Sequence, residues 1–183
     1  MSLADTRYEK SFQNDNTNVS VGPFVSATIT KSLSVTAQGG GYFTTYDKGG
    51  GNGDSQDLSS YYGSLGINHQ ITDNISQSLT AGREFLPGLT SNFTERIYAS
   101  YTVTWRATNY LSLGGNLLWE NLTDSQASVS EKSDRYGFGL SLNENLNDHA
   151  TLSLNYQYLV KDANPSTLSY VQNQVSAGVD YRF

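Results

Sequence analysis

Cysteine is absent from the 183 residues, proline occurs three times, and charged residues make up only 15%. Without cysteine there is no disulfide framework, no thiolate zinc site and no thiol nucleophile. Lys and Arg number 11 against 17 Asp and Glu, for a net charge of −6 and a pI near 4.7, which excludes nucleic acid as an expected partner. No apolar stretch approaches the roughly 20 residues that a spanning helix needs. A basic segment followed by an apolar run is also missing, so no signal peptide is read at the N-terminus, and Met1-Ser2-Leu3 reads as a start placed before mature sequence. Ala, Glu and Lys are too scarce for a helical bundle, and the low charge argues against the common type of disorder.

What is present is Gly (17), Tyr (13) and an abundance of Ser, Thr, Asn and Gln. A mean hydropathy of −0.47 suggests solubility. That reading fails for a barrel, in which only alternate residues meet lipid. Alternation is the main signal. Val175, Ala177, Val179, Tyr181 and Phe183 share one face against Gln174, Ser176, Gly178, Asp180 and Arg182. Leu152, Leu154, Tyr156 and Tyr158 alternate with Ser153, Asn155 and Gln157, and Ile97, Ala99, Tyr101, Val103 and Trp105 with Tyr98, Ser100, Thr102, Thr104 and Arg106. A period of two over so many segments predicts β-strands with one apolar face.

The predicted strands cover about 18–30, 33–46, 58–71, 75–85, 94–106, 110–122, 135–146, 150–160 and 170–183. Most suit the roughly 9–11 residues of a tilted bilayer-crossing strand. Short turns at Lys31-Ser32, Thr72-Asp73-Asn74, Ala107-Thr108-Asn109 and Asn147-Asp148-His149 alternate with longer polar segments at about 47–57, 86–93, 123–134 and 161–169. Tight turns on one side and free loops on the other suit a membrane barrel. The turns recur every 35–42 residues or so, a hairpin repeat closing one sheet. An even strand number requires a further strand before Val19, for which only Thr6–Phe12 is available. The expected fold is therefore an all-β, antiparallel, up-and-down transmembrane barrel of about ten strands forming one domain over 1–183, with 1–17 a weak first strand or extension. The alternative is part of a larger barrel.

The C-terminal octet Ser176-Ala177-Gly178-Val179-Asp180-Tyr181-Arg182-Phe183 is the most specific motif. It resembles the signal that outer-membrane barrels present to their insertion machinery: Ser176, Gly178, Tyr181 and Phe183 match its polar, Gly, hydrophobic and terminal aromatic positions. With the Gly- and Tyr-rich strands and Asn/Asp turns, the chain is similar to the β-barrel porin-like proteins of Gram-negative bacteria. That resemblance implies the bacterial outer membrane, lipid or detergent around the barrel, and passive porin-like transport or a structural role. For a part of a larger barrel it implies export or uptake, for example of polysaccharide.

Two levels of aromatic residues are expected at the membrane boundaries. Trp105, Tyr110, Tyr181 and Phe183 fall on the turn side, and Trp119, Tyr136, Tyr158, Phe43 and Tyr61 on the loop side. Inside, the expected charges are Arg106, Glu120, Glu144, Asp180 and Arg182. They serve either as a selective ring or, since an unpaired buried charge is expensive, as pairs that plug the lumen. Arg83 falls on the apolar face, above the lipid band or re-aimed by a bulge. The loop carboxylates Asp54, Asp57, Asp124 and Asp162 follow no ion-binding spacing, so no metal or cofactor is expected. His69 and His149 lie beside inner turns, which makes an enzyme the least expected class. A third expectation is a soluble secreted sandwich that binds carbohydrate through Tyr- and Asn-rich loops.

Overall fold

The computed structural model describes residues 1–9, 13–47, 51–125 and 130–182. Eleven strands form one antiparallel sheet: β1 (Ser2–Thr6), β2 (Asn16–Val21), β3 (Phe24–Thr30), β4 (Leu33–Tyr46), β5 (Leu58–Thr72), β6 (Ile75–Pro87), β7 (Phe93–Arg106), β8 (Leu111–Asp124), β9 (Lys132–Asn145), β10 (Ala150–Asn164) and β11 (Tyr170–Tyr181). From β4 onward every strand pairs with its sequence neighbour, giving an up-and-down order. β2 and β3 both lie on β4, one against Tyr46–Gly41 and the other against Gln38–Leu33, so together they fill a single position and the sheet is ten positions wide.

The expected strand 18–30 is thus interrupted at Gly22-Pro23. Pro23 has no N–H for the ladder, and the backbones approach too closely there for any side chain. A Cβ on Gly22 would lie 2.0 Å from the Gly39 carbonyl oxygen, and one on Gly40 would lie 2.1 Å from that of Val21. The first strand also differs from expectation. It is Ser2–Thr6, paired with Asn16–Ser20, rather than Thr6–Phe12, of which Lys10–Phe12 lie outside the described residues. Leu3 opposite Val19 continues the outer apolar parity, which a strand begun at Thr6 does not supply.

The four short turns lie where the sequence puts them, and each opens on a side-chain oxygen that accepts nearby N–H groups. Thr72 Oγ1 accepts from Asn74 and Ile75 (3.3 and 3.1 Å), Thr108 Oγ1 from Tyr110 and Leu111 (3.1 and 3.0 Å), and Asn147 Oδ1 from His149 and Ala150 (both 2.9 Å). Thr and Asn make such turns because their short polar side chains mimic a backbone acceptor. At the loop end the strands outrun expectation: β6 reaches Pro87, β8 Asp124 and β10 Asn164, and pairing holds through Asp124–Thr94 and Asn164–Lys132. Apolar alternation fades there while the hydrogen-bonded ladder continues. Fourteen-residue strands such as β4 span roughly 46 Å at about 3.3 Å per residue, more than a hydrocarbon core of roughly 30 Å.

Apolar and polar residues segregate to the two faces. Leu79, Tyr101, Leu117, Leu140, Leu154 and Ala177 belong to the outer parity, and Ser78, Thr102, Asn116, Gly139, Ser153 and Gly178 to the inner. Among the described residues the only buried hydrophobic side chains are Tyr46, Leu58, Phe85, Ala150 and Ala163, while Leu65, Leu79, Leu117, Leu140 and Val175 are exposed. A single sheet with its apolar face uncovered is not the two-sheet sandwich that a soluble domain requires. Exposed apolar area costs about 25 cal/mol per Å² in water and nothing comparable in lipid. β1 and β11 are the two edges and do not pair with each other among the described residues, so the sheet is open.

Candidate functional site

From the turn end to the loop end the inner face has three levels. Arg106, Asp180 and Arg182 mark the first. Arg182 Nε lies 4.0 Å from Asp180 Oδ1 with both side chains mostly in solvent, a pair worth little. The second level is hydroxyl and amide: Ser78, Thr80, Ser100, Thr102, Asn116, Ser141 and Asn155, with Ser153 Oγ donating to Asn143 Oδ1 at 2.9 Å. No Lys, Arg, Asp or Glu of the inner parity lies at this level.

The third level is a ladder of alternating charge. Arg96 Nη1 lies 2.8 Å from Glu84 Oε1, and Arg96 Nη2 also reaches Glu120 Oε1. Glu120, its side chain 8% exposed, meets Arg135 Nη1 at 3.6 Å through its other oxygen. Lys161 Nζ, inside β10, lies 2.6 Å from Glu131 Oε1 of the β8–β9 connection. Three carboxylates and three cations alternate across β6 to β10, so the charges of the ladder itself balance, while Asp124 beside Glu131 is held by the Thr94 hydroxyl and the Glu131 N–H. Burial pushes the Glu131 carboxyl up, but the hydrogen bond from Lys161, with the field of Lys161 and Arg135, holds it below the usual carboxylate range.

Above the ladder the loop end is capped. β5 stops pairing with β6 at Gly63–Arg83, whereas β6 and β7 run on together to Pro87–Phe93. Freed from β5, that hairpin turns across the sheet. Phe85 stacks on Tyr42 (ring centroids 5.4 Å) and Phe93 on Tyr46 (6.3 Å), with Leu58 completing a buried cluster. Its tip joins a polar knot centred on the buried Asp54. Asp54 Oδ2 accepts from the Asn92 backbone N–H at 2.9 Å and from Ser125 Oγ, and Oδ1 accepts from the Gln56 N–H at 2.9 Å. Asn14 Nδ2 donates to the Asp54 carbonyl and to Asn92 Oδ1, both at 2.8 Å. The segment before β2, the β4–β5 and β6–β7 connections and the end of β8 thus meet at one point. Of the four long connections expected to be free, three meet at this point through Asp54, Asn92 and Ser125, and the 161–169 connection is not among them.

Of the expected inner charges, Glu120 is the center of the ladder, while Arg106, Asp180 and Arg182 lie apart at the turn end. Glu144 requires correction: its register opposite Leu111 and Leu152 puts it on the outer parity, because Tyr136, Phe138, Leu140 and Leu142 are even-numbered and so is Glu144. Glu84, Arg96, Arg135, Glu131 and Lys161 were missed. Parity alone marks the first three, since Arg96 alternates with Tyr98 and Ser100, and Arg135 with Gly137. Only pairing shows that Glu84 faces Arg96, and Arg135 faces Glu120.

On the outer side, Arg83 keeps the apolar parity without a bulge. It forms a bidentate pair with Glu95 (2.8 and 3.0 Å) and its guanidinium lies 4.2 Å from the Tyr61 ring centroid. Trp105, Tyr110 and Tyr181 are exposed toward the turn end, and Trp119, Tyr136, Phe43 and Tyr61 toward the loop end, with Tyr158 half-buried against Phe138 (5.5 Å). Ser176, Gly178 and Tyr181 lie on the fully exposed β11, and Phe183 lies outside the described residues. Of the carboxylates expected in loops, Asp54, Asp57 and Asp124 accept from backbone N–H groups, Asp57 Oδ1 from that of Tyr46 at 2.9 Å, while Asp162 lies within β10 opposite Asp134. His69 Nδ1 lies 3.1 Å from Gln77 Nε2 on the outer parity, and His149 lies in an inner turn.

No family model and no curated protein matches the chain. Solved structures do match. FpvAI, in its complex with pyocin S2, aligns with 93% of this chain and is covered to 27% (TM-score 0.65, 11% identity). OmpT, an outer membrane protein of Vibrio cholerae, aligns in its loop L8 deletion mutant with 91% of this chain and is covered to 54% (TM-score 0.58, 16% identity). OmpT expressed in the outer membrane aligns with 95% and is covered to 62% (TM-score 0.58, 13% identity). The fold is that of outer-membrane β-barrels, and the chain spans less than two thirds of each of these structures.

Proposed function

We propose that this chain is an integral protein of the bacterial outer membrane whose inner face lines a narrow, porin-like passive conduit. The observation that carries the reading is the inner face itself, a level of hydroxyls and amides below a ladder whose three carboxylates and three cations neutralise one another. Such a surface suits water and small polar solutes, and a neutral ladder braces the wall without selecting an ion of one sign. The outer face takes lipid or detergent, with the two levels of aromatics at its boundaries. Ser176, Gly178, Tyr181 and Phe183 serve the insertion machinery. Planar-bilayer recording tests the reading: discrete conductance steps with weak ion selectivity are expected, and a silent bilayer leaves a structural barrel instead.

A second reading, that the chain forms an arc of a larger barrel, is favoured by the sheet edges. β11 offers a twelve-residue edge exposed throughout, while β1 has five residues to set against it. In hydrocarbon each unpaired backbone group costs several kcal/mol, so that edge calls for a longer partner. Gel migration before and after boiling separates the readings, because a closed ten-position barrel shifts and an unclosed arc does not.

A further inference from the structure

We propose that the inner face carries a binding subsite for a neutral carbohydrate, a hexose or short oligosaccharide, just below the cap. The proposal deepens the conduit reading, resting on it only in that the inner face is water-filled. A cavity of about 340 Å³ lies there, lined by Tyr42, Tyr62, Phe85, Tyr98, Gln38 and Glu84 among others, within the roughly 300–1,000 Å³ of small-molecule sites.

Three observations define the ligand. The walls are aromatic: Tyr42 stacks on Phe85 and meets Tyr62 edge-on at 6.5 Å, while the Tyr98 ring lies 4.5 Å from the Arg96 guanidinium. Ring faces carry partial negative charge and attract the C–H faces of a pyranose. Next, no described residue takes a hydrogen bond from the Tyr42, Tyr62 or Tyr98 hydroxyl, in contrast to Tyr101 and Tyr156, whose hydroxyls donate to Gln77 and Asn173. Those three hydroxyls and the Gln38 amide are left for ligand hydroxyls. Finally, the charges at the rim are already paired, Arg83 with Glu95 and Glu84 with Arg96. An anion or cation would gain little without breaking a pair, and a purely apolar ligand would strip water from the hydroxyls at a cost. A neutral ring with C–H faces and hydroxyl edges meets both demands.

The test is equilibrium titration of the folded protein with maltose by calorimetry, with choline and gluconate as charged probes. An amine-oxide detergent is used, because glucoside or maltoside headgroups would compete. Saturable maltose binding in the millimolar range is expected, with none for either charged probe. Tyr62→Ala weakens it at least tenfold, and Tyr62→Phe, which keeps the ring, weakens it two- to fivefold. Tyr98→Ala serves equally if Tyr62→Ala loses its β-sheet circular dichroism. Absence of maltose binding by β-structured protein, equal binding of a charged probe, or unchanged binding by the Ala variant overturns the proposal. A silent bilayer together with maltose binding removes the conduit and keeps the site; a conducting bilayer without binding does the reverse.

Discussion

Asn147 and Asp54 do the same chemical job at opposite ends of the sheet, each offering side-chain oxygens to backbone N–H groups. Asn147 serves residues two and three positions ahead. Asp54 also gathers Asn92 and Ser125, 38 and 71 positions away. The turn end is therefore assembled from independent local units, and the loop end from a single unit that exists only when four segments have met. A defect at the turn end should stay local, whereas one at the loop end should spread.

The largest break in that contrast is expected from Asp54→Ala. It strands the Asn92 N–H and the Ser125 hydroxyl, at about 1–3 kcal/mol for each donor left buried. A loss of about 3–5 kcal/mol in urea unfolding is expected, with new protease cleavage at 47–57 and 88–92 together. Cleavage in one segment alone would show the knot to be several separate contacts. Glu120→Gln comes next. It removes the carboxylate shared by Arg96 and Arg135, and with both arginines partly solvated the loss is about 2–3 kcal/mol. Conductance should shift toward anion selectivity, and unchanged reversal potentials would show that the ladder does not face the permeation path.

At the turn end, Asn147→Ala should cost only about 1 kcal/mol, since its one acceptor oxygen is replaceable by water, and should leave loop-end proteolysis untouched. The smallest effect is one of pH. The Glu131 carboxyl titrates below its unfolded value, so its contribution to tying down the β8–β9 connection is present above the ordinary carboxylate range and is lost as pH falls through the lowered value. Proteolysis near residue 131 should rise only on acidification below the ordinary carboxylate range, and Glu131→Gln should abolish that dependence.

The turn end was legible because its chemistry is local. Thr72-Asp73-Asn74 and Asn147-Asp148-His149 carry both acceptor and donors within four residues. Outer and inner faces were legible for the same reason, a period of two being visible along any one strand. The ladder was legible only in part. Parity puts Glu120 inside, but its partners sit on β7 and β9, and partnership depends on register. Glu144 shows how narrow the margin is, since reading one position across the strand exchanges inside for outside. Nothing in Tyr42, Phe85 or Phe93 announces a stack, because Phe85 and Phe93 belong by alternation to the opposite face from Tyr42 and Tyr46. They meet because β5 and β6 part at Gly63–Arg83.

The sequence by itself determined the all-β sheet, its apolar outer and polar inner faces, the short turns and the strand order, since each rests on residues within a few positions of one another or on the succession of hairpins. Tertiary structure alone decided that the loop end closes into a cap, that Asp54 is buried rather than solvated, that the inner charges at the loop end pair into a ladder, and that β1 and β11 do not pair among the described residues. Those depend on which rung faces which and where pairing ends, quantities set by the geometry of the whole sheet and written in no single strand.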